Sequence, residues 1–171
     1  MRTLDQNKQK MYFANEGNYN YIVDSKGNYI VDEKDSYLVD SNVLDSRVPI
    51  YETDSEGNVI YETIDGEQYP VIIGYRVVYC MPMHFKANIS YNTGETRIAE
   101  YGLNTSDYDA IIVADKGKFP FDERTLIWHT SKPVYDEEGY LKPESADYRV
   151  VAVKTSINHD RFILKKRVDD D

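Results

Sequence analysis

The apolar residues of this chain fall into runs of three to five, rich in valine, isoleucine and tyrosine, each closed on both sides by turn-forming residues. Tyr21-Ile22-Val23, Tyr29-Ile30-Val31, Tyr37-Leu38-Val39, Ile50-Tyr51-Glu52-Thr53 and Val59-Ile60-Tyr61-Glu62-Thr63 are too short for helices and suit pleated, half-buried strands. Ile111-Ile112-Val113 predicts a buried strand ending in a turn over residues 115–118, and YRVVAVKTSINHDRFILKKRV predicts a hairpin joined across residues 156–160. In VIIGYRVVYCMPMHFKANIS the alternation puts Val77, Tyr79, Met81 and Met83 on the core face, with Pro82 marking an edge or bulge. FDERTLIWH allows one helical turn at most, with Asp122 as its N-cap. Together these predict an all-β chain with little helix, folded as a small β-barrel or sandwich.

Two stretches echo each other, YIVDSKGNYIVD at 21–32 and IYETDSEGNVIYET at 50–63. In each, the aspartate can bond the backbone of the turn and the glycine can take the left-handed conformation that closes a type I turn with a bulge. Two hairpins are expected. An EF-hand loop needs oxygen ligands at alternate positions and a glutamate at the twelfth, which neither stretch supplies. Two copies also fall short of the three that a solenoid requires.

Charge divides the chain. Residues 15–67 hold 13 acidic side chains against three basic ones, which accounts for the entire net charge of −10, and the remainder is balanced. This predicts a neutral core barrel over 71–171, an acidic tyrosine-rich β-hairpin insertion over 15–70 and an N-terminal arm or first strand over 1–14. The acidic surface argues against a nucleic-acid-reading role. The first residues lack an apolar stretch after their basic ones and no segment approaches membrane-spanning length, so a soluble, unprocessed chain is expected. The lone Cys80 fits a reducing compartment.

No catalytic constellation emerges. His84, His129 and His159 are far apart, Cys80 and His84 have no second ligand pair for zinc, and there is no G-x-S-x-G. Gly117-Lys118 lacks the rest of a phosphate loop, and acidic pairs such as Asp107 and Asp109 are too common here to nominate an acid and a base. No enzyme activity, metal or cofactor is predicted. The signal that remains is tyrosine: ten of the 16 lie within residues 1–80. Tyr19, Tyr21, Tyr29, Tyr37, Tyr51 and Tyr61, on thin hairpins, exceed what their own chain is expected to bury, and tyrosine suits protein interfaces.

Five stretches, RTLDQNKQKMYFA at 2–14, FKANIS at 85–90, EYGLNTSDYDAIIVADKG at 100–117, LIWH at 126–129 and SADYRVVAVKTSINHDRFILKKRV at 145–168, occur in an order that resembles a known family. The chain resembles the head-tail connector proteins, of stopper or head-closure type, of long-tailed bacteriophages of Gram-positive hosts. The resemblance implies a small β-barrel made in the host cytoplasm. It would assemble as a homo-oligomeric ring at the neck of the virion, between the portal-adaptor complex and the tail-completion or tail-tube protein. The ring would close the filled head and form part of the DNA ejection channel, passing DNA without reading its sequence. In such proteins the connection matching residues 15–70 varies, so that segment is left to physics.

Partner-interface candidates are Arg2, Tyr12, Tyr21, Tyr29, Tyr37, Tyr51 and Tyr61, and Asp24, Asp32, Asp35 and Asp54 are candidates for a DNA-repelling lumen. The polar N-terminal residues are expected to reach a neighbouring subunit. Two alternatives stay open: a tail-completion or tail-terminator protein at the same junction, and an acidic tyrosine-rich module that binds carbohydrate or another surface.

Overall fold

Six strands close a barrel around aromatic side chains. The computed structural model describes residues 8–17, 19–34, 36–40, 47–92 and 108–167, and among them there is no α-helix. The strands are β1 (Gln9–Ala14), β2 (Arg47–Tyr51), β3 (Tyr61–Ile64), β4 (Glu67–Pro70), β5 (Ile72–Val77), β6 (Met83–Tyr91), β7 (Ala110–Asp115), β8 (Leu126–Trp128), β9 (Tyr148–Thr155) and β10 (His159–Lys166). The barrel order is β1-β6-β7-β10-β9-β8, antiparallel throughout, with β1 also paired to β8. Every second residue points inward: Met11 and Phe13, Phe85 and Ala87, Ala110 and Ile112, Phe162 and Leu164. Phe119 and Phe121, from the β7–β8 connection, stack at 5.0 Å inside. Among the described residues the barrel interior is therefore filled by side chains.

A second cluster lies on the outer wall, where Trp128, Leu126, Ala14 and Cys80 pack with Ala146. The indole nitrogen of Trp128 donates to Ser145 Oγ at 3.1 Å. This outer cover explains why the predicted helical turn at FDERTLIWH is instead strand β8: Leu126, Ile127 and Trp128 are buried on both faces and show no alternation. Asp122 does organise a turn there, its carboxylate accepting the Arg124 N–H at 2.8 Å.

Two further expectations are corrected. Val77 and Met81 are exposed, whereas Val78 and Cys80 are buried, so the predicted parity fails at those positions, while Tyr79 and Met83 pack partly buried against the core clusters. The strand is interrupted between β5 and β6 over residues 78–82, which contain Pro82, and inward alternation resumes at Met83. Of the arm or first strand expected over 1–14, Gln9–Ala14 is a barrel strand, with Met11, Phe13 and Ala14 wholly buried in β1, while residues 1–7 lie outside the described residues. Finally, the barrel proper comprises β1 and the strands from β6 onward; β5 belongs to an arm with β2.

The acidic segment forms two small closed units. In the first, bridges join Val23 to Tyr29, Val31 to Tyr37 and Tyr21 to Val39. The backbone bonds run in a cycle: Ile30 N to Ile22 O, Leu38 N to Ile30 O, and Ile22 N to Leu38 O. Tyr-(Ile/Leu)-Val-Asp thus recurs every eight residues at 21, 29 and 37, a third copy that the comparison with 50–63 obscured. The second unit repeats the cycle with Glu52, Ile60 and Val71, at the end of the β2–β5 ribbon, with β3–β4 as an extended hairpin.

Candidate functional site

The tyrosines of the first unit meet one another and the barrel. Tyr21, Tyr29 and Tyr37 form a triangle of edge-on rings with centroids 5.9–6.1 Å apart. Tyr29 reaches Phe13, Tyr37 donates its hydroxyl to Gly117 O at 2.5 Å, and the Asn15 amide donates to the Tyr21 hydroxyl at 2.7 Å. Burial raises the pKa of Tyr21, Tyr29 and Tyr37 above the ordinary phenol value. Three of the interface candidates are therefore half-buried by their own chain, as is Tyr19. The reason is the cycle, which gathers Tyr21, Tyr29 and Tyr37 on one face to cap an end of the barrel.

Asn15 is the joint between cap and barrel. Wholly buried, it donates from its side chain to Pro120 O at 2.6 Å, accepts the Thr125 hydroxyl at 2.5 Å, and donates its backbone N–H to Cys80 Sγ at 3.1 Å. Burial pushes the Cys80 thiol up to about 11, so it is no nucleophile at neutral pH.

The aspartates proposed for a lumen shape turns. Asp24 Oδ1 accepts the N–H groups of Lys26 and Asn28, and Asp54 Oδ1 those of Glu56 and Asn58, all within 2.8–2.9 Å. Asp32 does the same for Lys34 and Ser36. Gly27 and Gly57 sit at φ 81° and 87°, the left-handed conformation expected of them. For Asp24 the Asn28 side chain, and for Asp54 the Asn58 N–H, lead the bonds that hold the carboxyl below its usual range. Asp35 and Arg2 lie outside the described residues. Tyr12 sits on the outer wall with its ring 4.0 Å from that of His84.

Among the described residues two surfaces stand open. One is the arm, where Ile73 and Tyr75 are 64% and 61% exposed and Tyr51, Tyr61, Ile64, Tyr69 and Ile72 are also exposed. Its base is fixed by Arg76, which pairs with Asp136 at 3.2 Å and Glu138 at 2.7 Å and lies over the Tyr140 ring. The other is a cleft of about 990 Å³ between cap and barrel, lined by Lys8, Lys10, Lys26, Lys86 and Lys118 over Tyr29, Tyr37, Phe85 and Phe119. Sequence reading missed it, because these lysines come from separate segments that only the fold assembles. Among the described residues no cluster of histidine, cysteine or acidic side chains could hold a metal ion. His129 contacts the Tyr91 hydroxyl and Gln9, and His159 stands at the β9–β10 turn.

No family model, curated protein or solved structure matches this chain.

Proposed function

We propose that this chain is a structural connector of a long-tailed phage. It forms a ring at the head-tail junction that closes the filled head, joins the portal-adaptor complex to the tail and borders the DNA channel. The observation that carries the reading is the arm. A filled barrel holding out a two-stranded ribbon with Ile73, Tyr75, Ile72 and Tyr51 uncovered is built to be completed by neighbours. The sequence resemblance supplies the place, and the arm supplies the means of assembly.

Because the barrel interior is packed with phenylalanines, the channel of such a ring lies between subunits. Asp24, Asp32 and Asp54 shape their own turns and keep their charge while doing so, so they add to the overall acidity by which the segment repels DNA. The test is a phage with a stop codon in this gene. Filled heads that lose DNA, beside free tails of normal length, are expected. Stable filled heads beside overlong tails would assign the chain to tail completion, and infectious particles would end the connector reading.

A further inference from the structure

We propose that the β3–β4 tip of the arm docks into the lysine-lined cleft of a second copy of this chain, head to tail. The inference deepens the ring reading above and rests on it. In the cleft, Lys10 and Lys86 are directly opposed across the β1–β6 ladder, a like-charge pair that an antiparallel sheet disfavours unless an anion lies over it. Lys26 on the cap and Lys118 beyond β7 extend the positive rim, and Phe119 and Tyr29 supply an apolar floor.

The arm tip presents the complement. Cross-strand pairing sets Glu62 opposite Tyr69 and Ile64 opposite Glu67, and alternation puts all four on one face of the hairpin. Ile64 and Tyr69 are 49% and 45% exposed and the Tyr69 hydroxyl donates to the Glu67 carboxylate at 2.7 Å, so among the described residues that face is left open. Two carboxylates flanking an aliphatic and an aromatic side chain match lysines around an aromatic floor. A polyphosphate would meet the lysines but leave the floor unmatched. Two different surfaces of the chain meet, so the contact is heterologous, the kind that closes rings.

The experiment compares the full-length chain with K86E/K118E and E62K/E67K by sedimentation equilibrium at low and high salt, circular dichroism confirming that each folds. Wild type should self-associate more weakly as salt rises, and each variant alone should lose about tenfold or more in affinity. An equimolar mixture should recover it, since each reversed surface then finds an opposite. A mixture no tighter than either variant, or reversals that leave wild-type assembly unchanged, would overturn the contact. So would duplex DNA binding that K86E/K118E abolishes, which would make the cleft a phosphate site. A virion neck lacking a ring of this chain fails the ring reading itself, whatever the swap shows.

Discussion

Tyr29 of the cap lies edge-on to Phe13 of the barrel, ring centroids 6.2 Å apart and planes at 69°. Through this contact the acidic repeat becomes part of the folded body. Phe13 is wholly buried and also meets Phe85 and Phe121, so Phe13→Ala should cost about 3–5 kcal/mol. Tyr29→Ala removes a half-buried ring and should cost less, about 1–2 kcal/mol. Urea unfolding checks the order, and equal losses would contradict the distinction between core and cap.

Asn15 bonds three elements from a buried position. Asn15→Leu keeps the branched shape but takes the side-chain donor from the Pro120 carbonyl and the Tyr21 hydroxyl and the short acceptor from the Thr125 hydroxyl, which keeps only its contacts with Asp122; the unpaired carbonyl alone should cost roughly 1–3 kcal/mol. Cys80 reports the damage, because alkylation of its buried thiol requires opening of the same joint. Native wild type should react slowly and the variant much faster at equal thiol reagent.

The cap should be sensitive to alkali. Burial raises the folded-state pKa of Tyr21, Tyr29 and Tyr37 above 10.0, so their contribution is complete below that pH and declines as pH rises beyond it. Tyrosinate absorbance should show a delayed, cooperative step that coincides with loss of near-ultraviolet dichroism. Simple titration of all tyrosines with no such step would contradict the packed triangle.

Acid should act on the turns. Asp24 and Asp54 have depressed folded-state values, so their turns are supported above the unfolded carboxyl value and loosen as pH falls below about 4. Amide exchange at Asn28 and Asn58 should quicken there, and Asp54→Ala should produce the same local change at neutral pH. Barrel stability should stay as in wild type, since the Asp54 turn is on the exposed arm.

The all-β class was legible because Val, Ile and Tyr runs bounded by turns leave a chain few alternatives, and the turn chemistry of Asp24-Gly27 and Asp54-Gly57 could be read residue by residue. The cyclic cap was not. Its middle turn has Glu33 and Lys34 where the first has Ser25 and Lys26, which hid the eight-residue period, and only closure of Tyr21 against Val39 reveals three arms. Parity failed at Val77 and Met81 because alternation does not survive the interruption between β5 and β6, and β8 was hidden because an outer cluster buries both its faces. The cleft depends on the pairing of Lys10 with Lys86, a register that neither strand shows alone.

The central claim is that this chain works as a ring between head and tail. Electron microscopy of virions carrying it tests that most directly. The account predicts density for the six-stranded barrel in a ring at the neck, each arm resting on the adjacent subunit. Density for this chain elsewhere in the particle, or arms standing free of any neighbour, would contradict it.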